Sequence, residues 1–368
     1  MNILIFLIIL LILVISHEFG HFIVAKLNKI RVDEFSFGFP PKLFGKKIGE
    51  TSYNFNALPF GGYVKIFGEN PDEDSMTGPD SSRSFVNKPR YVQAAVLVAG
   101  VVMNLLVAWI LLSVGFISGL PTSVGAVPKG AIVENQAVTV TSVLPNSPAE
   151  KGGVKTGDKI VSLETKTDST MLLSSYFSVE SVQNFVKKHN GDEVTVSVVR
   201  GQEPLDIKVI PEKSSTSENA MIGISMDMIG TLKLPVHRAL WEGLKLTWDV
   251  TVATVAGFYN LIHDAVIGQA DLSTLTGPVG IVGVVGDAAK FGFVYLLSFT
   301  ALISINLAVI NLIPFPALDG GRLFFLLIEK IKGSRIKPKI ANVVNAVGFG
   351  LLIILMIFVT YHDIIKLL

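Results

Sequence analysis

The sequence contains no cysteine. That excludes disulfides and thiolate ligands, so any bound metal must rest on histidine and carboxylate. Charged residues are also scarce, at 17% of the chain against about a quarter in soluble domains. A formal net charge of +1 leaves no electrostatic footprint for nucleic acid, and none is expected as a partner. The apolar run at the N-terminus lacks a basic n-region and a small-residue cleavage site. It reads as a retained helix and not as a signal peptide. What remains is apolar: half of the residues are hydrophobic and mean hydropathy is +0.55, the composition of a membrane protein.

Runs of about 20 apolar residues, the length that crosses a bilayer, occur at Met1–Leu27, Val92–Ile117, Val294–Leu312 and Val343–Ile365. They predict a polytopic α-helical membrane protein with four transmembrane helices. Lys and Arg concentrate between the first two runs, from Lys29 to Arg90, and between the last two, from Arg322 to Lys339. By the positive-inside rule both segments are cytoplasmic, which puts both termini and the long Gly119–Phe293 region outside. Leu240–Ile262 is nearly apolar enough for a fifth span. Glu242, Lys245 and Asp249 recur there at helical spacing, however, and a fifth crossing would break the parity. It reads as an amphipathic helix lying on the membrane surface.

Between the spans, "VTVTSVLPNSPAEKGGVKTGDKIVSLE" alternates apolar and polar and then turns through Pro and Gly. A helix-like "SVQNFVKKHNG" and the strand-like "DEVTVSVVR" and "LDIKVIPE" follow. The polar stretch Glu212–Ala220 reads as a linker. The run SPAEKGGVKTGDKI with GDEVTVSVVR behind it resembles a PDZ domain of the bacterial arrangement, which binds extended peptide or protein ends by strand addition. A strand-rich spacer with no ligand is the alternative. Strand alternation broken by Gly and Pro in "VDEFSFGFPPKLFG" and "TSYNFNALPFGGYVKIFG" predicts membrane-associated β-hairpins beside the first span. At that depth non-helical backbone is tolerated only against protein or a wet cavity. The expected organisation is a membrane core over 1–118, an inserted α/β PDZ domain over 119–213, a linker and interfacial helix over 214–293, and a second membrane part over 294–368.

His17, Glu18 and His21 form H-E-x-x-H inside the first span. Four residues of helix advance about 6 Å and roughly 400°, so the two imidazoles share a face. Both can reach one tetrahedral Zn²⁺, with Glu18 one step round as a general base. Three unpaired ionisable groups in a span cost several kcal/mol, and coordination satisfies them together. A polar cluster at a helix interface is the bland alternative. A third protein ligand is needed. His189, His237, His263 and His362 read as surface residues. Asp319 in "PALDGG" follows two prolines that end the third span's helix, and its two glycines allow a sharp turn that aims the carboxylate back at the membrane.

H-E-x-x-H, "FGFPPKLFG", "LPFGGYVKIFGE", "TGPVGI" and "NLIPFPALDGG" occur in the order found in the site-2 protease family, and the chain resembles its bacterial regulated-intramembrane-proteolysis metalloproteases. The resemblance implies a zinc endopeptidase of the bacterial inner (cytoplasmic) membrane, with the PDZ domain extracytoplasmic. Its implied partners are membrane lipid and single-span membrane protein substrates, such as an anti-sigma factor or a signal-peptide remnant. It implies His17, His21 and Asp319 as zinc ligands, Glu18 as catalytic base, and Asn306 and Asn311 near the substrate. Some members carry two PDZ domains where this insert has room for one, and some have His where this chain has Arg322. A different class remains beside it, a non-proteolytic membrane protein that transports or senses metal through the same ligands. Such a site needs no base beside the metal.

Overall fold

The computed structural model describes residues 2–128, 130–165, 178–214, 217–269 and 277–367. In chain order its helices are α1 (Asn2–Leu27), α2 (Glu73–Thr77), α3 (Arg90–Ser118), α4 (Pro148–Gly152), α5 (Val179–Lys188), α6 (Val236–Val266), α7 (Pro278–Phe291), α8 (Phe293–Leu312), α9 (Asp319–Lys332) and α10 (Pro338–Leu367). The strands are β1 (Val32–Ile48), β2 (Thr51–Ile66), β3 (Leu120–Ser123), β4 (Val133–Val143), β5 (Lys159–Thr165), β6 (Val194–Arg200), β7 (Glu203–Val209), β8 (Glu212–Ser214), β9 (Ser217–Met221) and β10 (Ile224–Leu232). Two compact units emerge. Met1–Ser113, Leu240–Gly286 and Ser298–Leu368 form the first, Val114–Ala239 and Asp287–Leu297 the second.

Among the described residues, four helices are long and apolar enough to cross a membrane: Asn2–Leu27, Arg90–Ser118, Phe293–Leu312 and Pro338–Ile365. They coincide with the four expected runs, with small differences at the ends. Composition dictates this outcome. The 26 residues of α1 extend about 39 Å at 1.5 Å each, more than the roughly 30 Å of hydrocarbon. Its apolar residues go all the way round, and Ile3, Leu4, Ile8 and Ile12 stay exposed, as side chains facing lipid would.

The strands of the first unit form one folded-back ribbon. Glu34, Phe35, Ser36 and Phe37 pair with Lys65 to Gly62 on one side and with Ser52 to Phe55 on the other, while Lys42 to Ile48 pair along Asn56 to Thr51. Phe35 packs edge-on against Phe22 of α1, with centroids 5.3 Å apart. Ala25, Ile30, Val32, Phe35, Val64, Ile66, Val92 and Val96 bury a common core between α1, the ribbon and α3. This core holds β2 beside the middle of α1.

From Leu240 onward α6 packs on α3 and α8. Trp109 Nε1 of α3 donates to the Leu240 carbonyl at 2.8 Å. Leu246, Val250 and Phe258 lean on Ala108 and Leu112 of α3 and on Ala301 and Ile305 of α8. Trp241, Leu244, Trp248, Val252, Val255 and Tyr259 are exposed on the helix. The charges at helical spacing obscured this, because the packed residues are interleaved with them.

In the second unit six strands form one antiparallel sheet in the order β3-β10-β4-β5-β6-β7. Alternate residues Val138, Val140, Val194, Val196, Val198, Ile207 and Val209 point into a core closed by Val182, Phe185 and Val186 of α5. The motif SPAEKGG is helix chemistry. Ser147 caps α4 by accepting from the Glu150 N–H at 3.2 Å, Pro148 opens the helix, and Gly153 ends it at φ +90°. The buried Asp158 accepts two 2.7 Å hydrogen bonds from Arg200, whose guanidinium is held charged above its usual range by that carboxylate. The polar stretch Glu212–Ala220, expected as a linker, carries β8 and β9 paired with each other, and the sheet takes β10 from beyond it. Strands can be as polar as linkers, so polarity alone misled. His189 is likewise buried, its Nδ1 donating to the Phe185 carbonyl at 2.9 Å.

Candidate metal centre

Helical spacing stacks His17 and His21 on the inner face of α1, where both are buried with ring centroids 4.8 Å apart and ring planes at 83°. The two Nε2 atoms lie 3.1 Å apart. Asp319 arrives from the far end of the sequence. Pro314 and Pro316 lack the N–H that would continue α8 past Leu312, and Ala317 takes a left-handed φ of +76°. The expected glycine turn is therefore made at Ala317, whose N–H donates to Asn345 Oδ1 at 3.2 Å. Gly320 serves close approach instead, since a Cβ there would lie 2.2 Å from the Ile313 carbonyl oxygen. Asp319 then sits in the first turn of α9, where free backbone N–H groups favour a carboxylate.

Asp319 Oδ2 lies 3.1 Å from His17 Nε2 and 3.2 Å from His21 Nε2. With the 3.1 Å between the two nitrogens, the three donors make a nearly equilateral triangle. Zinc bonds of about 2.0–2.1 Å at tetrahedral angles set donor atoms roughly 3.3 Å apart. The triangle fits zinc. Ionised carboxylate is the form a metal takes. Among the described residues these three are the group of His, Asp and Glu placed to hold an ion.

The surroundings suit the same task. Nδ1 of His21 donates to the Val96 carbonyl at 2.8 Å, which leaves Nε2 with its lone pair for a metal. Gly100 of α3 lets the rings stand where they do, because a Cβ there would come within 2.5 Å of His21 Nε2 and 2.7 Å of His17 Cε1. Glu18 turns toward β2, and its Oε2 accepts from the Val64 N–H at 3.0 Å. A cavity of about 400 Å³ opens over the three donors, lined among others by Glu18, Tyr63, Asn104, Asn311 and Arg322. Asn311 thus joins the expected site residues. Asn306 lies on α8 outside that lining.

Sequence reasoning missed Asn104, Val64 and the ion pair of Arg322 with Glu69. A lone asparagine amid an apolar span was a usable signal, since such residues are costly there. Val64 contributes only backbone, which no side-chain pattern reveals. In the segment Thr51–Leu58, Ser52 to Phe55 are paired with β1 on both sides. The backbone beside Glu18 belongs to the later part of β2.

Comparison with known proteins agrees in extent and kind. The model of peptidase family M50 matches residues 5–355. A putative zinc metalloprotease of Clostridium perfringens is 37% identical over 354 residues, covering 96% of this chain and 95% of that protein. Another putative zinc metalloprotease, of Clostridium acetobutylicum, is 35% identical over 355 residues, with 96% and 94% covered. The regulator of sigma-W protease RasP of Bacillus subtilis is 30% identical over 431 residues, with 96% of each chain covered. These matches take in both the α1 and α9 segments that meet at the three donors. This chain belongs to peptidase family M50 and is a zinc metalloprotease.

Proposed function

We propose that the chain hydrolyses peptide bonds inside the membrane-spanning segments of single-span proteins, at the bacterial cytoplasmic membrane. The observation that carries this reading is the donor triangle of His17, His21 and Asp319 on and beside α1, a helix apolar enough to cross a membrane. Zinc held there supplies Lewis acidity for the scissile carbonyl and for the attacking water. Glu18, anchored through Oε2 on Val64, keeps Oε1 to take a proton from that water and return it to the leaving amine. One relative is named for regulating sigma-W. By that likeness the substrates here include membrane-anchored anti-sigma factors or signal-peptide remnants.

A helical peptide bond is shielded by its own hydrogen bonds, so the substrate must unwind. In a low-water setting each freed backbone group costs several kcal/mol unless re-paired. The Asn311 amide, in the cavity lining, both donates and accepts and would re-pair such groups. Substrates with Gly, Pro or Asn near the scissile bond should be cut faster than all-Leu spans, by about fivefold for each kcal/mol of helix stability removed. Asn311→Leu should slow the all-Leu substrates most. Rates on matched substrates, in wild type and variant, check this. Equal rates on broken and unbroken helices would remove unwinding from the account.

The second unit reads as a PDZ domain that binds a peptide end. Support comes from a groove of about 280 Å³ between α5 and the start of β10, lined by Gln183, Val186, Lys187, Met221, Ile224 and Met226. Beside it, among the described residues, β3 pairs with Leu232 to Ile229 of β10, which leaves one edge of Ile224 to Met228 for an added strand. The basic loops support a cytoplasmic position for Lys46 and Lys337 and an outside position for this domain. The insert position Lys166, a convenient label site, lies outside the described residues, and the exposed Lys151 replaces it. In intact cells Lys151→Cys should react with an impermeant thiol reagent, while Lys46→Cys and Lys337→Cys should not. The native chain has no cysteine to blur the result, and the reverse pattern would overturn the orientation.

A further inference from the structure

One stripe of α3 serves the metal centre. Val96, Gly100 and Asn104 recur every fourth residue, which stacks them on one face. Val96 gives its carbonyl to His21 Nδ1, and Gly100 leaves space for both rings. The third member, Asn104, is fully buried, and its backbone carbonyl accepts from Ser304 Oγ of α8 at 2.7 Å. Its side-chain nitrogen lies 3.3 Å from His17 Nδ1, and its Oδ1 is buried with no hydrogen-bond partner among the described residues.

These positions conflict with the use of His17 as a ligand. Its Nε2 faces Asp319 and His21 and must present a lone pair to a metal, so the neutral ring carries its proton on Nδ1. That proton would point at the NH₂ group of Asn104, donor against donor. A half-turn of the carboxamide exchanges oxygen for nitrogen without a change of shape. The orphaned oxygen then accepts the Nδ1 proton.

We infer that Asn104 is a positioning residue of the metal centre, its amide oxygen accepting from His17 Nδ1 as the Val96 carbonyl does from His21. The span two stripe thereby fixes the tautomer and the aim of both imidazoles, one through backbone and one through a side chain. Partners of this kind raise ligand basicity and hold ring orientation, and their loss typically weakens metal binding by about 10–100-fold.

The inference rests on the zinc reading of His17, His21 and Asp319. The test uses the full chain in detergent, with zinc affinity measured by competition against a chelating dye and Co²⁺ substitution followed by visible absorption. Asn104→Leu should bind zinc about 10–100-fold more weakly and shift the Co²⁺ bands. Asn104→Asp, whose carboxylate only accepts, should keep wild-type affinity or tighten it. Wild-type affinity in Asn104→Leu would overturn the inference. So would an Asn104→Asp variant that loses as much as Leu, because His17 Nδ1 would then be the acceptor. If Asn104→Leu fails to fold, the Asp variant alone decides. A wild-type chain that binds no zinc would instead bring down the underlying metal reading.

Discussion

Glu18→Gln is expected to lower peptide-bond cleavage by roughly 10²- to 10⁴-fold, the range that a positioned general base contributes, while zinc stays bound in full. The amide matches the carboxylate in shape and can still accept from the Val64 N–H, which holds Glu18 Oε2 at 3.0 Å. It cannot take a proton from water. The ligands are untouched, because His17, His21 and Asp319 close their triangle without Glu18. Metal analysis and initial rates on one preparation check both halves. A fully active Gln variant with stoichiometric zinc would end the role of Glu18. Loss of zinc in that variant would recast Glu18 as a ligand.

Asp319→Ala should lose both metal and activity, the larger effect of the two because nothing is left to carry the chemistry. A catalytic zinc rests on three protein ligands and one open position. Removing the carboxylate leaves two imidazoles, 3.1 Å apart at Nε2, with no anion to offset the ion's charge. His17→Ala and His21→Ala should behave alike. Metal content after dialysis is the readout. If Asp319→Ala retains zinc and cleaves normally, the third ligand lies elsewhere and the encounter of α1 with α9 has another purpose.

Much of this molecule was legible in the sequence, for physical reasons that vary along the chain. The four helices long and apolar enough to cross a membrane announce themselves, because length and composition are enough to find them. His17, Glu18 and His21 were legible because helical periodicity fixes their relation locally. Asp319 was found by its position after Pro314 and Pro316, although the turn is made by Ala317 at φ +76° and the adjoining glycine relieves a close contact. What stayed hidden depends on partners distant in the chain. Alternation marked β1 and β2 as strands but did not reveal that Ser52 to Phe55 are paired on both edges. Nor does any local pattern say that the Val96 carbonyl meets His21, or that α6 has a packed face against α3 and α8.

The central claim is that zinc chemistry takes place on a substrate within the membrane, and mapping the cut tests it most directly. The full chain and a single-span substrate would be reconstituted together in liposomes, and the new termini located by mass spectrometry. The account predicts a scissile bond inside the substrate's apolar span, cleavage that stops after zinc is stripped by a chelator, and recovery when zinc returns. Cleavage confined to the water-exposed flanks, or continuing undiminished without zinc, would contradict it.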